Sequence, residues 1–178
     1  MQPAIFIDRD DTLIRNIPYL SDPSKVELTP GAGSALATLA KAGFLLILVT
    51  NQSGIGRGYF TVHELNAVHE RLKELLKASG VVLDGIYYCP HAPNQECNCR
   101  KPKTGMLEQA CSDHRIDLAR SIMVGDSQQD IEMGKAFGLR TVQLRLKGLD
   151  KEDFHADLLV STLPEMLDFA HAILATKA

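Results

Sequence analysis

The sequence predicts an α/β fold: a Rossmann-like doubly wound parallel sheet with helices on both faces. Two observations carry this. Short apolar runs alternate with helix-length stretches along nearly the whole chain, the signature of strand–helix units. One run, "FLLILVT", is apolar at almost every position, as expected of a strand covered on both faces.

The elements follow in order. "AIFI" (Ala4–Ile7) reads as a short buried strand, and the Asn16–Pro30 stretch as a loop. "GAGSALATLAKAG" reads as a helix closed by a Gly at its C-terminal end. "FLLILVT" (Phe44–Thr50) is the second strand. "TVHELNAVHERLKELLKASG" is a helix opened by Thr61 with Glu64 three residues on, a capping box. "GIYYC" (Gly85–Cys89) is a third strand, and Pro90–Lys103 a second loop. "TGMLEQACSDHR" is a helix, "SIMVGD" (Ser121–Asp126) a strand and "SQQDIEMGKAFG" a helix. "RTVQL" (Arg140–Leu144) and "ADLLV" (Ala156–Val160) are the last strands, and "STLPEMLDFAHAILATK" the last helix.

Composition narrows the function. The chain has 178 residues, 45% of them hydrophobic, enough for one globular domain with a real core. A single domain over 1–178 is expected. The net charge is −3 without long runs of one sign, so nucleic acid and anionic membranes are not the expected partners. No apolar run approaches the roughly 20 residues of a membrane span. The N-terminus has no basic region followed by a long apolar segment, so no signal peptide is expected. The default is a soluble cytoplasmic protein. With no apolar seam standing out, a monomer is expected.

In such folds ligands sit beyond the carboxyl ends of the strands. The first strand ends in Asp8, Asp10 and Asp11; the second in Thr50, Asn51, Gln52 and Ser53. The third ends in Cys89 and His91, with Arg100 and Lys101 in the loop beyond. The fourth ends in Asp126 and Ser127, with Asp130 one helical turn on. Close carboxylates repel one another, and take up a proton or bind a hard cation such as Mg²⁺. Lys and Arg suit a phosphoryl group. An Asp can attack phosphorus and form an aspartyl-phosphate, and a second acid can protonate the leaving oxygen and then activate water. Asp8 and Asp10, two apart, point the same way in an extended segment, with Arg9 opposite.

"DRDDT" (Asp8–Thr12), "VTNQS" (Val49–Ser53), the basic residues of "CRKP" and "VGDSQQD" (Val124–Asp130) resemble the four motifs of the haloacid dehalogenase superfamily of phosphatases. With "VTNQSGIGRGYFT", "CxCRKPxxGM" and the Cys/His loop, the chain is similar in particular to the D-glycero-D-manno-heptose 1,7-bisphosphate 7-phosphatases, cytoplasmic Mg²⁺-dependent enzymes of lipopolysaccharide heptose biosynthesis. The histidinol-phosphate phosphatases share much of the pattern.

The resemblance implies roles. Asp8 is the nucleophile, and Asp10 the acid/base that also gives Mg²⁺ its carbonyl oxygen. Asp8 and Asp126 are the other Mg²⁺ ligands, and Thr50 and Lys101 hold the phosphoryl oxygens. Asn16, Tyr19, Asn51, Gln52, Ser53, Arg100 and Ser127 face a small phosphorylated sugar. Asp130 orients Lys101, caps its helix or acts as a second acid. The about 40 residues between the first two motifs are too few for a large cap domain, since domains rarely fall below about 50.

The loop at about 89–101 carries Cys89, His91, Cys97 and Cys99. Three sulfurs and one nitrogen make a structural Zn²⁺ set with no open position, and in a reducing compartment such a cluster points to metal rather than disulfides. Cys99 precedes Arg100 and Lys101 directly, so a zinc-bound loop would anchor both cations.

Plainer readings stand beside these. The acids alone fit a solvated turn, and "TNQSG" an Asx-rich turn. Cys111 reads as core, and His63, His69 and His114 as surface or core. "GIGRG" (Gly54–Gly58) lacks the GK[ST] of a phosphate loop and reads as a flexible connection presenting Arg57 near the site. A receiver domain would carry its accepting Asp after the third strand, where this chain has Cys89-Pro90-His91. A catalytically silent phosphate- or zinc-binding module is the other rival. Asp11 stands where the resembled family has Gly. Asp tolerates left-handed angles better than most residues, so Asp11 is expected to be a turn residue whose side chain caps nearby amides.

Overall fold

A computed structural model describes residues 1–145 and 152–176. Its sheet has six parallel strands: β1 (Ala4–Ile7), β2 (Leu45–Asn51), β3 (Gly85–Cys89), β4 (Ile122–Gly125), β5 (Arg140–Leu144) and β6 (Leu158–Val160). They lie in the order β3-β2-β1-β4-β5-β6. The order reverses direction between β1 and β4, the switch point where such sheets open a crevice. In register, Ile7 pairs with Leu48 of β2 and Val124 of β4.

Alternation sorts the strands between two cores. Ile5, Ile7, Leu46, Leu48, Ile122 and Val124 join one cluster; Phe6, Ile47, Val49 and Met123 join the other. The first is covered by α1 (Ala32–Lys41), α3 (Val62–Lys77) and α6 (Leu167–Ala175), the second by α4 (Gly105–Asp113) and α5 (Gln128–Ala136). Burying one such Leu or Ile contributes about 1.5–3 kcal/mol, so both faces resist polar substitution.

The expected elements are present with small shifts at their ends. The α3 capping box forms: Thr61 N–H donates to Glu64 Oε2 at 2.7 Å, and Glu64 N–H to Thr61 Oγ1 at 3.2 Å. Gly43 takes φ +98° after α1. The last helix differs. Leu163–Met166, with Pro164 in the first turn where its missing N–H is tolerated, form a 3₁₀ turn before α6 begins, a frequent start for a helix. The expected end of that helix at Lys177 lies outside the described residues.

Another expectation is corrected. Ser53–Gly56 form a short helical turn, α2, rather than a flexible connection. It is tied to the third strand's exit: Gln52 N–H donates to Cys89 O and Gly56 N–H to Pro90 O, both at 2.8 Å. A Cβ on Gly56 would sit 2.5 Å from Ala92 N, so the close approach requires glycine.

Candidate active site

Four chain segments meet above the switch point. Lys101 reaches in from the Pro90–Lys103 loop, and its ammonium donates to Asp8 Oδ1 at 2.6 Å, Asp130 Oδ1 at 2.6 Å and Val49 O at 3.1 Å. All three ammonium protons are used. Burial works against the charge on Lys101, but Asp130 and Asp8 outweigh it and hold its pKa above the ordinary lysine value. Asp8, at the exit of β1, is pushed toward its neutral form. Burial lifts its pKa well above the usual carboxylate range; Lys101 opposes the lift, and Asp130, Asp126 and Asp10 add to it.

This imbalance has a chemical reading. Ligand oxygens of Asp8, Asp126 and Asp130 lie within 4.8 Å of one another, with the Lys101 ammonium beside two of them. Three carboxylates against one ammonium leave two negative charges, which one divalent cation would offset.

Asp130 is fully buried and both its oxygens are engaged. Oδ1 takes Lys101; Oδ2 accepts from Ser127 N–H at 3.1 Å and Ser127 Oγ–H at 2.5 Å, capping α5. Gly125 makes room for it, since a Cβ there would sit 2.3 Å from Asp130 Cγ. Asp130 thus both holds Lys101 and caps a helix.

Asn51 fixes the lysine's backbone: its Oδ1 accepts from Lys101 N–H at 3.0 Å, and its Nδ2 donates to Lys101 O at 3.3 Å. Thr50 is buried one residue before. Gln52 donates from Nε2 to Thr50 Oγ1 at 2.9 Å and to Asp10 Oδ2 at 3.1 Å. A polar pocket of about 270 Å³ opens beside Asp10, walled by Asn16, Tyr19, Asn51, Gln52 and Ser53. Tyr19 is half exposed, with φ +53°, and packs edge-on against Tyr59 with ring centroids 4.5 Å apart.

The Cys/His loop closes on itself. Cys89 Sγ lies 3.7 Å from Cys97 Sγ and 3.5 Å from His91 Nδ1, and His91 Nδ1 lies 3.3 Å from Cys99 Sγ. Tetrahedral Zn²⁺ with Zn–S bonds of about 2.3 Å separates its sulfurs by about 3.7 Å. The four side chains therefore match the size and donor chemistry of that ion.

The comparisons with known proteins agree with this geometry. The family described as HAD-hydrolase-like matches residues 98–166. The D-glycero-beta-D-manno-heptose-1,7-bisphosphate 7-phosphatase of Haemophilus ducreyi is 40% identical over 178 residues, covering 94% of this chain and 98% of that protein. The chain belongs to the haloacid dehalogenase (HAD)-like phosphatases. The Vibrio cholerae enzyme of the same name is 36% identical over 99% of this chain and 98% of its own. A crystal structure of the D,D-heptose 1,7-bisphosphate phosphatase of B. bronchiseptica, complexed with magnesium and phosphate, superposes with a TM-score of 0.82 at 30% identity, covering 97% of this chain and 98% of that one.

In this HAD-like phosphatase the pocket and buried cluster bring together Asp8, Asp10, Asn16, Tyr19, Thr50, Asn51, Gln52, Ser53, Lys101 and Asp126. Three residues lie outside the pocket lining. The Arg100 guanidinium turns back onto its own Cys/His loop, donating to His91 O at 3.5 Å. Ser127 is engaged in the α5 cap. Arg57 is exposed and lines a groove with Tyr59 and Pro93. Asp11 takes φ +53°; its carboxylate accepts from Asn16 N–H at 3.4 Å and Asn16 Nδ2 at 3.3 Å, so it is a turn residue capping an amide. His69 is buried core, His63 is exposed and Cys111 is half-buried. Sequence reasoning missed Arg9. It is not opposed to Asp8 and Asp10: its guanidinium turns back onto Asp10 and Gln52. The available signal was a basic residue two steps past a buried strand.

Proposed function

We propose that the chain removes the 7-phosphate of D-glycero-D-manno-heptose 1,7-bisphosphate, acting as a cytoplasmic, monomeric, one-domain enzyme without a large cap. The observation that carries the chemistry is the buried Asp8–Lys101–Asp130 arrangement beside Asp126. The names of the full-length relatives support the substrate.

Asp8 attacks phosphorus and forms an aspartyl-phosphate while the sugar oxygen leaves. Asp10 gives that oxygen a proton, then takes one from the water that cleaves the Asp8–phosphorus bond. Thr50 donates its hydroxyl to a phosphoryl oxygen. Its own proton is free for this because Gln52 supplies the hydrogen bond that Thr50 Oγ1 accepts. Lys101 offsets charge on the transferring group. Asn16, Tyr19, Asn51, Gln52 and Ser53, which line the pocket, form the substrate side.

Asp8, Asp126 and the Asp10 carbonyl would hold Mg²⁺, which would supply positive charge against the repulsion between an anionic carboxylate and an anionic phosphate. Cys89, His91, Cys97 and Cys99 hold Zn²⁺, leaving no open position. Zn²⁺ here has a structural role, fixing the loop whose next residues are Arg100 and Lys101.

The test is phosphate release with Mg²⁺ from heptose bisphosphate and from histidinol phosphate. A higher kcat/KM on heptose bisphosphate, abolished in Asp8→Asn, is expected. Preference for histidinol phosphate would overturn the substrate, and full turnover by Asp8→Asn would overturn the nucleophile.

A further inference from the structure

We propose that Arg9 is a positioning residue for the acid/base, holding the Asp10 carboxylate in a fixed fork and linking it through Gln52 to the phosphate-binding Thr50. This rests on the reading of Asp10 as acid/base above.

Arg9 is 2% exposed, an expensive place for a guanidinium unless its charge is met. Asp10 meets it. Arg9 Nε and Nη2 donate to Asp10 Oδ1 at 3.2 and 3.1 Å, and Nη2 donates to Oδ2 at 3.0 Å. Nη2 also donates to Gln52 Oε1 at 3.0 Å. The Gln52 amide is therefore turned with its oxygen toward Arg9 and its NH₂ toward Asp10 and Thr50. Arg9, Asp10 and Gln52 close a triangle in which Arg9 only donates, Asp10 only accepts, and Gln52 accepts from Arg9 and donates to Asp10. A guanidinium does not lose its proton in a protein, so the fork persists through turnover.

The arrangement bears on each proton transfer. In the first step the Asp8–phosphorus bond forms and the bond from phosphorus to the sugar oxygen breaks. The Asp10 proton goes to that oxygen, leaving a carboxylate. Arg9 is already placed to stabilise this carboxylate as its charge develops, without reorganisation. In the second step the same carboxylate, aimed at the pocket by the fork, takes a proton from water as the Asp8–phosphorus bond breaks. Without the fork, the Asp10 carboxyl is no longer held in place beside the pocket and samples other rotamers.

The sensitive readout is the leaving group. A sugar alkoxide departs poorly without a proton, whereas p-nitrophenolate departs without one. We take the ratio of saturating kcat on a sugar phosphate to that on p-nitrophenyl phosphate. In Arg9→Met this ratio is expected to fall about tenfold or more, within the 10²–10⁴ that a positioned acid supplies. Arg9→Lys, which keeps charge but not the fork, is expected to show a smaller fall in the same direction. Equal losses on both substrates, the result of a merely structural role, would overturn the proposal, as would no change in the ratio. Should Arg9→Met not fold, Arg9→Lys decides by the same ratio. Asp10→Asn separates the two levels. If it lacks the selective loss, the acid/base reading falls and this inference with it. If it shows the loss while the Arg9 variants do not, only the role of Arg9 falls.

Discussion

Replacing Lys101 with Met tests whether the lysine holds the carboxylate cluster together as well as serving phosphate. The side chain is 4% exposed and its ammonium sits 2.6 Å from an oxygen of each of two buried acids. At an effective dielectric near 20, each contact is worth about 6 kcal/mol before desolvation. Desolvation offsets most of this, and removing one partner of a buried pair leaves a net loss of about 3–5 kcal/mol. Lys101→Met is therefore expected to unfold about 3–5 kcal/mol more easily in urea at neutral pH without divalent metal. Lys101→Met/Asp130→Asn, which removes one stranded charge, should recover part of that loss. Neither variant should turn over, because the cation proposed to meet the phosphoryl oxygens is gone. Urea denaturation followed by circular dichroism gives the stabilities, and phosphate release the activity. A loss below about 1 kcal/mol, the centre of ordinary substitutions, would refute the reasoning. So would a double variant no more stable than the single.

Asp11→Gly should keep turnover, since Asp11 serves the turn; relief of left-handed strain and the greater chain entropy of Gly should nearly cancel in stability. A large fall in kcat would make Asp11 part of the chemistry. Stripping zinc with a chelator, then restoring Mg²⁺, should leave far-ultraviolet dichroism intact and depress turnover; unchanged turnover would separate the metal-binding loop from Lys101 delivery. Stability should also fall with acid through His69. Burial, with Arg9 and then Lys73 adding to it, lowers its pKa to about 3, so the folded form stays neutral while the unfolded chain takes up a proton. Stability is full above about pH 6.5 and declines toward pH 3, by about 1.4 kcal/mol at pH 5.5 from this group. In His69→Leu the acid slope measured by urea denaturation should flatten, and an unchanged slope would remove His69 as its source.

The strands were legible because both sheet faces are covered, which forces nearly continuous apolar runs such as Leu45–Val49. The carboxylates were legible because each follows such a run. Asp11 was legible by its departure from Gly, since backbone sterics limit which residues turn there. Arg9 was not, because the alternation rule was carried past the end of β1. The strand stops at Ile7 and residues 9–13 turn, so the rule that sends neighbouring side chains to opposite faces no longer applies. The α2 turn was hidden by its glycines. Gly54 and Gly56 suggest freedom, yet close packing selects them: Phe60 lies against Gly54 and the loop after β3 against Gly56. Asp130 was readable only as a set of alternatives, since its pairing with Lys101 spans two distant segments.

The strand order has one further consequence. Asp8, Thr50 and Asp126 sit at the ends of β1, β2 and β4, three adjacent strands with β1 in the middle. Neighbouring strands lie about 4.8 Å apart, so the sheet acts as a ruler whose pitch spaces the reactive groups. The segments that shape the pocket, Asn16–Tyr19 and Gln52–Ser53, lie outside that ruler. Exchanging them would change which molecule is admitted while leaving the spacing of the reactive groups to the hydrogen-bonded ladder beneath.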